Sequence, residues 1–502
     1  MNRRTLFKTS AALGATLPWV RGAHAAQSDT SDAPSTDTDV LVLGGGFAGL
    51  VAALEAARAG ARVVLVERRA WFGGDGILSA GILVSARTPH HDRAGIRNVE
   101  VEDYWQRILS GVDDEPLSKV RDNSHNSPIY SGVAKHDPEV LHRAAAASPR
   151  VIELLESFGV EFLPPTERQP FLLPSRPGSM GRFAQGVVEE LRRLGVTLRT
   201  GTRATKLLLE EGAVTGAEVE SSEGKALIRA RAVIVASGGF VNNDAMMRRY
   251  KRVWADVPVG FTAVGEGVPP GHDGDGIRMG REAGAAVEDM ESMPKLFAAP
   301  VKGVRSPSWL LFDTDAAILV DRKGERFVNE NAARYAGCAL AVLREKREEA
   351  FVVFDEATFR GPNAARWCYA ELLEAGGLFR DDTIEGAARK AGVDPEGLAA
   401  TLEALERDAP HGTDPFGRRD ALFRPMKGPF YVSTPSRPVR FKTEGGLETN
   451  PDFQVLSARD DRPIPGLYAA GAVCGSISTR LADVIASGLL VGPEAAKAAK
   501  KA

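Results

Sequence analysis

Apolar residues along the 502-residue chain fall in short blocks, and their spacing predicts strands and helices in alternation. Asp39-Val40-Leu41-Val42-Leu43 is too brief for a helix and runs straight into glycines, so it predicts a buried strand. Gly44-Gly45-Gly46-Phe47-Ala48-Gly49 follows at once. Leu50 to Ala59, rich in Ala, Leu and Glu, predicts a helix that Gly60 stops, and Arg62 to Val66 predicts a second strand ending at Glu67. Ala232-Val233-Ile234-Val235 predicts another buried strand, ending in the small residues Ala236-Ser237-Gly238-Gly239. A further strand is expected over Pro465 to Ala470, closed by Gly471, and Ser487-Gly488-Leu489-Leu490 leads into a final Ala-rich helix. Pro395 to Asp408 carries the apolar stripe of an amphipathic helix. Nothing repeats at a fixed period, which argues against solenoids and propellers.

Composition narrows the class. Hydrophobic residues make up 43% and charged residues 26%, as expected of a globular protein with well-buried cores. The formal net charge is −3 with no long basic run, so nucleic acid is not an expected partner. The 3 cysteines, Cys338, Cys368 and Cys474, lie far apart, which excludes a disulfide framework, a CxxCH haem site and a cysteine zinc ribbon. His90-His91 is the only adjacent histidine pair, and no metal site is expected.

The N-terminus reads as a targeting segment over residues 1–25. Arg3-Arg4 precedes Phe7-Lys8, a modest apolar stretch runs from Ala11 to Val20, and Ala23-His24-Ala25 is a small-x-small cleavage pattern. The paired arginines resemble a twin-arginine export signal, which implies a periplasmic location. The stretch is too short to span a membrane well. Residues 26–37 then read as a polar linker.

The glycine cluster carries the first chemistry. In a strand–turn–helix unit, Gly44 permits a tight turn, Gly46 admits a pyrophosphate to backbone N–H groups, and Gly49 lets helix and strand pack closely. Phe47 and Ala48 lie in the same turn. The helix N-terminus favours an anion. Glu67, 23 positions after Gly44, can accept hydrogen bonds from a ribose diol. This unit alone does not choose between FAD and NAD.

The later segments do. Trp71-Phe72-Gly73-Gly74, the strand ending at Ser237-Gly238, Gly274-Asp275-Gly276-Ile277 followed by Glu282-Ala283-Gly284-Ala285, Gly324-Glu325-Arg326-Phe327-Val328-Asn329-Glu330, Asp414-Pro415-Phe416-Gly417-Arg418, Gly445-Gly446-Leu447 and the closing strand together resemble the fumarate reductase and ketosteroid dehydrogenase flavoproteins. The resemblance covers nearly all of Thr38 to Ala498. It implies bound FAD and an α/β fold: a doubly wound, Rossmann-like FAD-binding domain from residues 38–292 and 423–502, with an α+β cap inserted at 293–422. It also implies cofactor contacts at Arg68, Gly73, Gly74, Gly81 and Ala204, at Ser237, Gly238 and Asp275, and at Gly471, Ala472, Ser487 and Leu489. A helix start beneath the flavin ring would stabilise negative charge there.

The catalytic pattern departs from the fumarate reducers. Where they carry a proton-donating arginine before an Ala-Ile-Leu-Val run, this chain has Asp313. Arg440-Phe441-Lys442-Thr443-Glu444 lacks their histidine, and Glu291-Ser292-Met293-Pro294-Lys295 replaces their upstream His-Pro-Thr. Thr479-Arg480-Leu481 resembles the segment that sets a carboxylate-binding arginine beside the flavin, since a guanidinium matches a carboxylate's geometry. Lys442 is a candidate second cation, Asp313 a candidate base or electrostatic partner, and Tyr335 lies near the place of a steroid-dehydrogenase tyrosine. The expected activity is dehydrogenation or alkene reduction next to a carbonyl or carboxylate, by hydride exchange at flavin N5 with an external electron donor or acceptor. A ketosteroid-type dehydrogenase and a flavin-bearing electron carrier are the alternatives.

Overall fold

The computed structural model describes residues 35–79, 81–97, 99–103, 137–165, 170–176, 178–259, 271–291, 295–300, 316–330, 341–342, 349–361, 369–418 and 425–501. The segment read as a leader, together with Asp313 and Tyr335, lies outside them.

Strand β1 (Ser35–Leu43) leads into helix α1 (Phe47–Arg58) and strand β2 (Val63–Val66). The helix starts before Leu50, because the Gly46 carbonyl already accepts the Leu50 N–H at 2.8 Å. β1 also begins inside the stretch read as linker: Ser35, Thr36 and Asp37 pair with Leu227, Ile228 and Arg229, so a polar sequence becomes strand through its neighbour's ladder. Helices α2 (Pro138–Ser157) and α3 (Ser179–Arg193) follow, then β3 (Thr197–Arg199), β4 (Arg203–Glu210), β5 (Ala213–Ser221) and the 12-residue β6 (Gly224–Val235).

Helix α4 (Asp275–Glu282) and strand β7 (Lys295–Pro300) come next. In the cap, β8 (Ile318–Val320), β9 (Phe351–Asp355) and β10 (Leu378–Asp381) are joined by α5 (Ile384–Ala391) and α6 (Pro395–Asp408). Then come β11 (Phe430–Ser433), β12 (Ser436–Lys442), β13 (Gln454–Leu456), β14 (Pro463–Ala469) and the C-terminal α7 (Leu481–Lys501).

The main sheet has 8 strands, ordered β13-β14-β6-β1-β2-β3, with β5 and β4 added on β6. Its centre, β14-β6-β1-β2-β3, is parallel. Such strands are buried on both faces, which is why Val40–Leu43 and Ala232–Val235 read as continuous apolar runs rather than alternating ones.

The cap sheet has 4 strands in the order β8-β9-β11-β10. Alternation along β9 sends Phe351 and Val353 to one face and Val352 and Phe354 to the other. The first face is covered by α5 and α6, whose Leu398, Leu402 and Leu405 supply the buried stripe expected for Pro395–Asp408. Because β11 belongs to this sheet, we propose that the cap closes after Ser433 rather than at 422. The antiparallel pair β7–β12 then forms its two connections to the FAD-binding domain.

Two of the motifs meet in a buried network in the cap. Arg326 donates to Glu330 at 2.7 and 3.0 Å and to Asp414 at 2.6 Å. Arg418 donates to Glu330 at 3.2 Å, and the Glu330 carboxylate also accepts the Leu319 N–H at 2.9 Å. These segments therefore hold the cap together. A buried pair broken on one side leaves an uncompensated charge. Glu330→Ala is expected to lower stability by about 3–5 kcal/mol, read from urea denaturation; a loss within about 0.5 kcal/mol, typical of surface sites, would remove this role.

Candidate flavin and substrate site

At the end of β1 the chain turns at Gly44, with φ 114°, where a Cβ would sit 2.5 Å from the Ala236 carbonyl oxygen. Gly46 is extended and caps α1; a Cβ there would meet nothing within 4 Å. At Gly49 a Cβ would strike the Gly44 carbonyl. The turn thus admits no side chain on its packed side and leaves backbone facing open space at the helix start. Phe47 and Ala48 are buried, so what they offer a ligand is the N–H groups of the first helical turn. Glu67 accepts the Gly45 N–H and the Arg69 N–H, both at 2.8 Å, which pins the turn while each oxygen keeps a further lone pair.

The second glycine pair packs onto the first. The Gly73 N–H donates to the Gly45 carbonyl at 2.7 Å, and a Cβ on Gly74 would lie 2.9 Å from Gly46 Cα. Gly81 is packed against Pro174, farther along the same loop. Arg68, Ala204 and Asp275 are also brought together. Arg203 grips Asp275 with bonds of 2.7 and 2.8 Å, Arg68 pairs with Asp273 and lies 3.8 Å from Asp275, and Ala204 sits beside Arg203 on β4. Burial works against the Asp275 charge, but the arginines hold its pKa below the ordinary value. Its carboxylate is committed to them, so at this position the structure assigns the side chain to ion pairing.

Ser237 and Gly238 follow β6, with Gly238 at φ 80°. The Gly471 N–H donates to Ser487 Oγ at 2.9 Å, and Ala472 lies in the turn between β14 and α7. Here the sequence expectation needs correction. α7 starts at Leu481, where the Arg480 carbonyl accepts the Val484 N–H at 2.9 Å, so the helix start lies at Arg480 and not at Ser487. Ser487 and Leu489 are interior helix residues, buried on the face toward α1 and the Gly471 turn.

These residues fit a dinucleotide. Ser237 Oγ and Arg68 Nη2 are enclosed polar atoms with no hydrogen-bond partner among the described residues, and both border the glycine turns. Gly46 offers its backbone at the start of a 12-residue helix. Among the described residues no cluster could hold a metal ion, and no helix is long and apolar enough to cross a membrane.

Of the candidate substrate-binding groups, the structure brings Lys442 and Arg480 to one segment, Ser478 to Arg480. The Lys442 ammonium donates to the Thr479 carbonyl, and Arg480 Nη1 donates to Ser478 Oγ at 3.0 Å. Both cations therefore stand at the N-terminus of α7. Sequence reasoning missed what lies behind them. Glu444, 2% exposed, accepts the Thr479 N–H at 3.1 Å and the Thr479 hydroxyl at 2.6 Å. Lys251 is 1% exposed, with its ammonium 5.3 Å from the Phe240 ring centroid. Burial pulls the Lys251 pKa down to about 7 against the attraction of Glu444.

Two further clusters were not foreseen. His272 takes the Gly239 N–H on Nδ1 at 2.8 Å and sets Nε2 3.1 Å from Asp75, which Arg69 also holds at 2.8 Å. Burial would raise the Asp75 carboxyl, but His272 and Arg69 bring it down to about 2. Ser476 bonds Glu288 and takes the Thr449 N–H at 2.9 Å, while Thr449 Oγ1 lies 3.2 Å from the free thiol of Cys474. Burial pushes Glu288 up to about 7 and Cys474 up to about 12. The sequence signals were faint: a lysine after an aromatic at Tyr250-Lys251, and a histidine or acid lodged among glycines at Gly271-His272 and Gly74-Asp75.

A parallel sheet whose first strand ends in these turns, with fitting donors around them, defines a dinucleotide-binding protein of the α/β class. The chain belongs to the FAD binding domain family, whose model matches residues 39–482, and its cofactor is FAD. It is 30% identical over 497 residues to the NADH:fumarate oxidoreductase of Klebsiella pneumoniae (strain 342), covering 95% of this chain and 50% of that protein. The chain thus spans about half the length of that relative. The open conformation of a flavocytochrome c3 fumarate reductase superposes with a TM-score of 0.69 at 26% identity, covering 93% of this chain and 79% of that one. The 3-ketosteroid-Δ4-(5α)-dehydrogenase of Rhodococcus jostii RHA1 shares the fold, with a TM-score of 0.65 at 22% identity over 95% of this chain and 99% of that one. The chain falls among FAD-dependent oxidoreductases.

Because Gly46 has room for a Cβ, Gly46→Ala separates binding from folding. The variant is expected to keep the parental circular dichroism and to bind FAD about tenfold or more weakly, by obstructing the pyrophosphate. Equal FAD content after dialysis in parent and variant would contradict this placement.

Proposed function

We propose that the chain is an FAD-dependent enzyme that adds or removes hydrogen across a carbon–carbon bond next to a carboxylate. The observation that carries this reading is the convergence of Lys442 and Arg480 at the N-terminus of the 21-residue helix α7. Two side-chain cations and a helix start favour an anion at the same place. When bound, FAD supplies the two-electron hydride carrier at its N5.

In this reading Arg480 binds and orients the substrate carboxylate, and Lys442 adds positive potential while tied to the backbone before Arg480. Asp313 and Tyr335 are retained as candidates for handling the proton. An external electron donor or acceptor completes the cycle. We further propose an exported, periplasmic protein, on the strength of Arg3-Arg4 and the pattern that follows; recovery of the cleaved chain in the periplasmic fraction is expected, and recovery of uncleaved chain in the cytoplasm alone would remove it.

Titration of the FAD-loaded protein with malonate, followed by flavin absorbance, tests the carboxylate site. Arg480→Met is expected to weaken binding about 100-fold, the scale of losing one partner of a desolvated charge pair. Unchanged malonate affinity in Arg480→Met, together with tight binding of a neutral steroid ketone, would replace this reading with a ketosteroid-type one.

A further inference from the structure

Lys251 and Glu444 have no part in the roles assigned so far, yet both are almost completely buried. Burying a lysine and a carboxylate is costly, and an apolar pair of similar volume is often at least as stable. Their placement gives them a task. Glu444 holds Thr479 at both its N–H and its hydroxyl, and Thr479 is the residue that precedes Arg480 and whose carbonyl receives Lys442. The Glu444 carboxylate therefore fixes the start of α7. It also places a negative charge directly behind the two cations, where it would oppose an anionic ligand.

Lys251 supplies the countercharge. It follows helix residues Asp244–Tyr250 and lies against the Phe240 ring; among the charges that act on it Glu444 is the strongest, followed by Asp289 and Glu291. The Phe240 N–H in turn donates to Thr443 Oγ1 at 3.0 Å, so the segment carrying Lys251 and the segment carrying Glu444 are clasped next to each other. Arg440, two positions before Lys442 on β12, is bound to the Trp254 carbonyl at 3.0 Å and to Asp244 at 2.9 Å, which closes the same contact from the other side.

We infer that Lys251 and Glu444 are a paired set of positioning residues: Glu444 orients Thr479 and so presents Arg480, and Lys251 cancels the Glu444 charge so that the site stays attractive to a carboxylate. This inference rests on the carboxylate reading of the Arg480 site. It requires no contact between either residue and the substrate.

The test is a charge-compensation cycle on the FAD-loaded protein at pH 6, below the Lys251 pKa of about 7 so that the ammonium is charged, using Lys251→Met, Glu444→Gln and the double variant, with malonate affinity and the urea midpoint as readouts. Lys251→Met is expected to weaken malonate binding about tenfold, as one unscreened charge would. The double variant recovers to within about threefold of the parent, because it is neutral where the parent pair is neutral. A merely structural lysine would not be rescued by removing the opposite charge. Parental malonate affinity in Lys251→Met, or a double variant no better than Lys251→Met, overturns the inference. If the parent itself binds no malonate, the carboxylate reading fails and the urea cycle decides the pair: each single variant less stable than the double keeps Lys251 and Glu444 coupled, and additive losses overturn the pairing.

Discussion

The fold depends on a backbone approach too close for any side chain. α7 packs on α1 through Gly488 and Gly492, where a Cβ would lie 2.5 Å from the Ala48 and Ala52 carbonyl oxygens. At the far end Lys500 donates to the Ala59 carbonyl at 2.7 Å, across 441 positions of sequence. Because interiors are packed near crystal density, a methyl group at either glycine must push the helices apart. α1 carries the glycine turn at its N-terminus, and α7 carries Arg480 at its own. The same contact therefore links the position of the glycine turn to that of Arg480.

This arrangement explains why the two ends of the chain build one domain while the cap lies between them. Gly471, Ser487 and Ala48 meet at one point: Ser487 Oγ takes the Gly471 N–H, and a Cβ on Gly471 would lie 2.7 Å from Ala48 Cβ. The cap is attached through the β7–β12 pair, and β12 ends at Lys442. The proposed cap connection and the candidate cation Lys442 are thus carried on one strand. The buried network of Arg326, Glu330, Asp414 and Arg418 lies wholly within the cap.

What could be read from the sequence was whatever local geometry compels. The glycine turn, β1–α1–β2 and the buried strand end at Ala232–Val235 were legible because glycine spacing and apolar runs have few alternative meanings. Pro395–Asp408 was legible because a stripe of Leu398, Leu402 and Leu405 has the helical period. Element edges were not. Ser35–Asp37 becomes strand only through pairing with β6, and α7 begins at Leu481 although Ser487-Gly488 is the more obvious punctuation. The cap end proposed after Ser433 was not legible for the same reason, since β11 is recognised only by its partners β9 and β10. The polar clusters were the least legible: His272 with Asp75, Ser476 with Glu288, and Lys251 with Glu444 are each built from residues distant in sequence and ordinary in type.

On the proposed carboxylate reading, the Lys442-Thr443-Glu444 segment is best understood as part of a charge set around Arg480. The lysine at this strand end adds positive potential, and its ammonium is anchored on the Thr479 carbonyl. A carboxylate two positions later could undo that gain, but it is turned inward onto the Thr479 N–H and hydroxyl. Buried there it needs a cation, and Lys251 is the buried cation at hand. The buried charges depend on one another, because an unpaired charge in a closed interior costs more than the pair does. In the inferred arrangement Lys442, Glu444 and Lys251 form one electrostatic unit that meets at Thr479, the residue before Arg480.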